Sequence, residues 1–294
     1  MALTSSGVGA PVRETFESPG ARAWRRLKKR RTAMVALVLL VLLALIAIFA
    51  PFIATHDPTQ QSWRAVRQAP SLTHWFGSDE VGRDIFSRII YGTRASLSAG
   101  VISVAIAIVA GVPLGLLAGY VGGWTDALIS RITDAMLACP FLILAIALAA
   151  FLGPSLQNAM IAIGITATPV FVRLTRGQVL SIKTEDYVEA ARAVGNTKIR
   201  IALRHILPNV MPQLLVQGTL TIATAIIAEA SLSFLGLGQQ PPAPSWGSML
   251  NIAQRFLSNA PWMAIFPGIA IFVTVLSFNL FGDGLRDALD PKAK

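Results

Sequence analysis

Apolar residues in this chain come in long unbroken runs, not at alternating positions. Residues 33–55, 95–125, 135–172, 206–228, 230–254 and 256–282 contain no Asp, Glu, Lys or Arg. A hydrocarbon core about 30 Å thick needs roughly 20 apolar helical residues to cross. Lipid offers the backbone no hydrogen-bond partner, so such runs must be helical. Without apolar/polar alternation a strand barrel is excluded. The pattern predicts six spans, over residues 33–54, 96–120, 128–151, 156–174, 213–237 and 262–281. Between them lie an outer polar segment at 55–94, a charged insert at 176–210 and a Pro-rich polar link at 238–261. Residues 1–20, rich in Ser, Gly and Pro, read as a mobile tail, and 286–294 as a second tail. Residues 21–94 hold a basic segment, the first span and the outer segment, ahead of a membrane domain over 95–285.

Composition agrees: 54% of the 294 residues are hydrophobic and 14% charged, where soluble domains carry about 25% charged residues. The formal net charge of +10 raises nucleic acid as a partner, but its distribution excludes that reading. Seven of the ten residues from Arg22 to Arg31 are Arg or Lys, directly before the first span. This is the positive-inside pattern, which places the N-terminus in the cytoplasm. The apolar run that follows is too long for a signal-peptide core. Four spans precede the charged insert, so it too falls in the cytoplasm, as does the C-terminus. Arg173, Arg176, Lys183, Arg192, Lys198, Arg200 and Arg204 agree with that placement. The outer segment carries Arg64, Arg67, Arg83, Arg88 and Arg94, balanced by Asp57, Asp79, Glu80 and Asp84.

Chemistry is sparse. The chain has six lysines, and none completes a phosphate-binding G-x-x-x-x-G-K-[ST] loop. No G-x-S-x-G or H-E-x-x-H occurs, so no enzyme is expected. Cys139 is the single cysteine, which rules out a disulfide framework. His56 and His74 are far apart in the sequence without ligand spacing and read as ordinary surface residues, so no metal is expected. Gly111, Gly115 and Gly119, spaced by four, share one helix face and permit close helix packing. Glu229 is a lone acid deep in the fifth span. It either faces a substrate route or anchors the outer end of its helix. Gly82, Arg83 and Asp84 either brace an outer gate and contact a delivery protein, or cap the second span by Arg–Asp pairing. Pro113, Pro140, Pro169 and Pro267 fall within spans and read as kinks.

The insert repays closer reading. Glu189, Ala190, Ala191 and Arg192 are good helix formers. Tyr187, Ala190, Ala191 and Val194 lie at i, i+3, i+4 and i+7, one apolar face. Gly195-Asn196 sits where a helix ends in a left-handed residue. A second short helix is expected over 199–205, and Leu207-Pro208 leads into the fifth span. A short amphipathic helix of this kind is covered either by lipid headgroups or by a groove in a partner protein.

The string Glu189-Ala190-Ala191, then Gly195, then Leu207-Pro208 resembles the EAA loop of ABC-importer permeases. The usual aliphatic residue two positions before the Leu is replaced by His205, in a string RHILPN similar to that of peptide permeases. HWFGSDEVGRDIFSRIIYGTRASL (74–97) and EASLSFLGLGQQPPAPSWGSML (229–250) resemble the C-type permease of dipeptide, oligopeptide and nickel importers. The likeness covers about residues 22–290. It implies an all-α membrane protein of the type I ABC importer permease fold, with six transmembrane helices, N-in and C-in, in a bacterial inner membrane. It further implies a coupling role for Tyr187, Glu189, Ala190, Ala191, Val194, Gly195, Leu207 and Pro208. The implied partners are a homologous second permease, two P-loop ATPases holding ATP and Mg, and an extracytoplasmic substrate-binding protein. This chain itself binds no cofactor in that scheme. Peptide is the implied cargo. A nickel or glutathione-type importer is the nearest alternative, and a solitary channel, secondary transporter or non-transporting scaffold belongs to a different class.

Overall fold

A computed structural model describes residues 19–290. Nearly all of the expected tail over 1–20, and residues 291–294 of the second, lie outside the described residues. The elements are α1 Pro19–Lys29, α2 Arg31–Ile48, α3 Ala50–Ile53, α4 Ile85–Val121, α5 Gly123–Ala138, α6 Phe141–Leu152, α7 Leu156–Ile182, α8 Asp186–Ala193, α9 Lys198–Ile201, α10 Leu207–Phe234, α11 Trp246–Ala253 and α12 Trp262–Leu289. Among the described residues there is no strand longer than an isolated bridge. By length and composition α2, α4, α7, the α9–α10 rod and α12 are long and apolar enough to cross a membrane.

The third expected span differs. Where a single helix over 128–151 is expected, α5 and α6 meet at a 95° bend. Pro140 causes it. Its ring has no N–H and disfavours helical geometry at the residue before it, and Cys139 is accordingly extended (φ −86°, ψ 133°). Hydropathy runs unbroken through the bend, so only the proline marks it.

The second span also begins earlier than its charge-free window. Asp84 caps α4 by accepting from the Ser87 N–H at 2.8 Å. The first turns therefore rise out of the segment read as outer loop. The Pro-rich link folds as well: Ser245 and Ser248 form a reciprocal capping box that starts α11. Trp246 and Met249 are buried in it, and Trp246 Nε1–H donates to the Ile89 carbonyl at 3.2 Å.

α4 and α7 form the centre of the bundle. A Cβ placed on Gly111 lands 2.7 Å from Phe171 Cβ, on Gly115 2.6 Å from Thr175 Cβ, and on Gly119 2.7 Å from Val179 Cβ. Gly164 answers from α7, where a Cβ falls 2.8 Å from Ile106 Cβ. Between lipid-like surfaces, such close approach supplies dispersion contacts that hydrophobic burial cannot. Ser103 Oγ adds a bond to the Met160 carbonyl at 3.0 Å.

These pairings rise in number together, so α4 and α7 run parallel. The α5–α6 elbow must therefore carry the chain back across the bundle between them. α10 is antiparallel to α4, with Gly100 facing Ile226 at one end and Gly218 facing Ile108 at the other. α12 packs Gly282 on Thr219 and Leu220, and Gly284 on Ala33 of α2. Six passes result. They leave α1, the end of α12 and the insert at one end, and the segment between α3 and α4 at the other. Leu27, Ala33 and Ala288 form a small buried cluster where α1 and α2 meet the end of α12, joined by an Arg30–Asp287 ion pair at 3.1 Å.

Candidate functional site

The insert is built as a rigid two-sided element. Asp186 and Glu189 in the first turn of α8 and Arg192 in the last match its dipole. The helix ends in a Schellman motif: the Asn196 N–H bonds to the Ala191 carbonyl at 3.2 Å and the Gly195 N–H to the Arg192 carbonyl at 3.0 Å. Gly195 adopts φ +83°, and nothing lies within 4 Å of the place its Cβ would occupy. Conformation alone, not space, selects glycine there.

The apolar face expected of α8 divides in two. Ala191 turns inward and is buried with Val188, Ile201, Ile206 and Val210 in the main core. Tyr187, Glu189, Ala190 and Val194 face outward, Val194 being 83% exposed. Ile199 and Leu203 extend this outward surface. The inward half anchors the helix, while on the outward half Glu189, Ala190 and Val194 are exposed among the described residues. Tyr187 Oη accepts from Asn209 Nδ2 at 3.0 Å, tying α8 to the start of α10.

Thr197 caps α9, and residues Ala202–Ile206 then form a π-helical turn before Leu207 and Pro208 open α10. Pro208 has no N–H, and its ring conflicts with the carbonyl four residues back. The wide turn absorbs this without ending the rod. The insert is braced from the other side by Arg176, whose guanidinium donates twice to Asp126 at 2.5 and 2.8 Å. Lys183 Nζ donates to the Gly119 carbonyl at 3.1 Å. Close by, a cleft of about 440 Å³ opens among α7, α10 and α12, lined by Gln213, Gln217, Leu220 and Arg286 among others. Sequence reasoning did not single out this cleft.

At the opposite end, Arg83 and Asp84 do not pair with each other. Arg83 is buried and donates to Asp79 at 2.6 Å and Glu80 at 2.7 Å. Arg88, 2% exposed, lies 3.5 Å from Asp79 and donates to the Pro58 carbonyl at 2.8 Å. It also reaches the Pro242 carbonyl at 3.3 Å. Burial pushes the Glu80 carboxyl above the usual range, and the neighbouring Asp79 charge adds to this. Gly82 has φ +79°, and a Cβ there would strike the Ser62 carbonyl oxygen. Asp84 instead caps α4 and takes up a histidine. His74 Nδ1 lies 2.9 Å from its Oδ1, and His56 Nδ1 lies 3.8 Å from its Oδ2. His56 is exposed, as expected of a surface residue, but the two histidines are not apart in space: His74 is half-buried beside it, their ring centroids 4.8 Å apart and the planes tilted by 32°. Their distance in sequence concealed a meeting that folding of the outer segment produces.

Glu229 is fully buried. Ser96 Oγ donates to its Oε2 at 3.1 Å and Ser233 Oγ to its Oε1 at 2.7 Å. The carboxylate thereby joins α10 to α4.

Residues 111–294 match the family of binding-protein-dependent transport system inner membrane components. Residues 18–70 match the N-terminal TM domain of oligopeptide transport permease C. A dipeptide transport system permease protein of Alkalihalophilus pseudofirmus is 50% identical over 280 residues, covering 95% of this chain and 92% of the relative. A glutathione transport system permease protein of Pectobacterium atrosepticum is 46% identical over 282 residues, covering 96% and 94%. Among solved structures, the inward-facing MetNI methionine ABC transporter superposes with a TM-score of 0.58 at 22% identity, covering 70% of this chain and 98% of that one. This last likeness concerns the fold alone.

Proposed function

We propose, from the premise that this chain belongs to the family of binding-protein-dependent transport system inner membrane components, that its insert couples peptide import to ATP hydrolysis on other subunits. The chain is an inner-membrane permease subunit of an ABC importer. In our reading it forms half of the pathway, with a homologous second permease supplying the rest. Two P-loop ATPases dock on the cytoplasmic end, and an extracytoplasmic binding protein delivers cargo at the other. The cargo class is a di- or oligopeptide, since the relatives are named as permeases for dipeptides and for glutathione, itself a peptide. Catalysis of ATP hydrolysis lies on the partner chains. The chain is N-in and C-in, which sets the basic residues around α1 and the insert on the cytoplasmic side.

One observation carries the coupling assignment. α8 has its inner half, Val188 and Ala191, locked into the bundle core, while Ala190 and Val194 are exposed and Tyr187, its ring on the same outer side, is held by Asn209. A helix so mounted transmits push or pull from a docked subunit to α10 through Tyr187–Asn209 and the π-helical turn. Such a lever acts by biasing two packings of a bundle. Glu189 lies on the free side, and Gly195, Leu207 and Pro208 set the bends.

The test is purification from the native membrane in mild detergent, followed by uptake of a labelled dipeptide into proteoliposomes. Co-purification of two ATPases, a second permease and a binding protein, with uptake that requires ATP, is the expected result. Uptake by this chain alone without ATP would replace the reading with a channel or secondary transporter.

A further inference from the structure

We propose that His56, His74 and Asp84 form a binding site for one divalent transition-metal ion at the base of the segment between α3 and α4. The three residues each offer one ligand atom, and these atoms all lie within 4.8 Å of one another. Four-coordinate zinc holds nitrogen and oxygen ligands at about 2.0–2.1 Å, which sets neighbouring ligand atoms roughly 3.3 Å apart. His74 Nδ1 lies 2.9 Å from Asp84 Oδ1 and His56 Nδ1 lies 3.8 Å from the other carboxylate oxygen, Oδ2, so the His74–Asp84 pair is already near that spacing and His56 must move in to complete it. Rotation of His56, the most exposed of the three, closes the site.

The carboxylate is prepared for the role. Asp84 is 2% exposed, and Ser87 holds its Oδ2 with both the backbone N–H at 2.8 Å and the hydroxyl at 2.7 Å. Such outer hydrogen bonds orient ligating carboxylates in metal sites. Oδ1 has His74 as its partner. A metal ion at this point replaces the proton shared by His74 Nδ1 and Asp84 Oδ1, which leaves to solvent. Two imidazoles with one carboxylate suit Zn, Co or Ni, whereas Ca and Mg favour all-oxygen ligation. An ion here ties residues that follow α3, the turn around His74 and the first turn of α4 into one unit.

The test uses the untagged permease in its assembled complex, stripped with chelator and titrated with Co²⁺. The wild type is expected to take up one equivalent more than the His56→Ala complex, with visible d–d bands of a four-coordinate ion that Zn²⁺ abolishes. His56→Ala and His74→Ala should each lose that equivalent and its d–d bands. Equal Co²⁺ uptake and spectra in wild type and His56→Ala would overturn the site and leave the triad as a hydrogen-bonded brace. If His74→Ala fails to fold, His56→Ala alone decides, because its side chain stands at the edge of the site.

Discussion

Two carboxylates show how differently buried charge is handled in one chain. Asp79 lies between two guanidinium groups, those of Arg83 and Arg88, in the segment outside the apolar runs. Removing it leaves Arg83, 5% exposed, with Glu80 as its one remaining carboxylate and leaves Arg88, 2% exposed, with backbone carbonyls alone. Breaking a buried ion network in this way costs about 3–5 kcal/mol. Asp79→Ala should therefore lower the thermal midpoint of the purified permease sharply, and an unchanged melting curve would disprove the network's importance. Glu229 is held instead by two serine hydroxyls. In Glu229→Gln the serines rotate to meet an amide that both donates and accepts, so stability should change by no more than about 1 kcal/mol. If Glu229 is an anchor, dipeptide uptake by this variant stays at the wild-type level. Loss of uptake at unchanged stability would place it on the cargo route. The presence of Glu229 within a span was legible in the sequence because a lone acid there stands out. Its partners were not, since Ser96 lies on a different helix and serines are common in spans. The histidine pair was hidden by its separation in the sequence.

At the level of the helix, close approach along α4 was readable because three glycines at intervals of four must share a face. The reciprocal role of Gly164 was not, as an isolated glycine carries no period. The elbow between α5 and α6 was half legible. Pro140 was visible, but an unbroken apolar run hid how far the chain turns. The space around each glycine gives a graded prediction. At Gly115 an added Cβ meets the Thr175 side chain and the Val172 carbonyl, at 2.6 and 2.7 Å. At Gly218 the nearest atom is the mobile tip of Ile108 at 3.8 Å. Gly115→Ala should force the central helices apart and reduce the yield of folded permease. Gly218→Ala should be neutral or stabilising, by up to about 1 kcal/mol from helix propensity. Equal behaviour of the two variants in a detergent melting assay would refute close α4–α7 packing.

Across the whole molecule, parallel α4 and α7 demand a return pass between them, and that pass is the bent α5–α6 pair. The six-pass arrangement was therefore recoverable from the count of apolar runs even though one run is not a straight helix. The direction of the coupling insert follows, and with it a prediction about transmission. Gly195→Val imposes a β-branched residue on φ +83°, a conformation that costs L-residues roughly 1–2 kcal/mol or more. The strain falls at the hinge between α8 and α9, away from the core, so chain abundance should persist while ATP-driven uptake falls. Gly195→Asn, which tolerates left-handed geometry, should retain most of it. Full uptake by Gly195→Val would remove the hinge from the mechanism. The same parallel arrangement has a consequence in time. A ribosome delivers α4 first, and the partners of its glycine stripe, Phe171, Thr175 and Val179, emerge only after the elbow has been threaded. Until then the glycine stripe of the nascent α4 stands without the side chains it is shaped to fit, so the central packing of the bundle waits on the passage of the elbow.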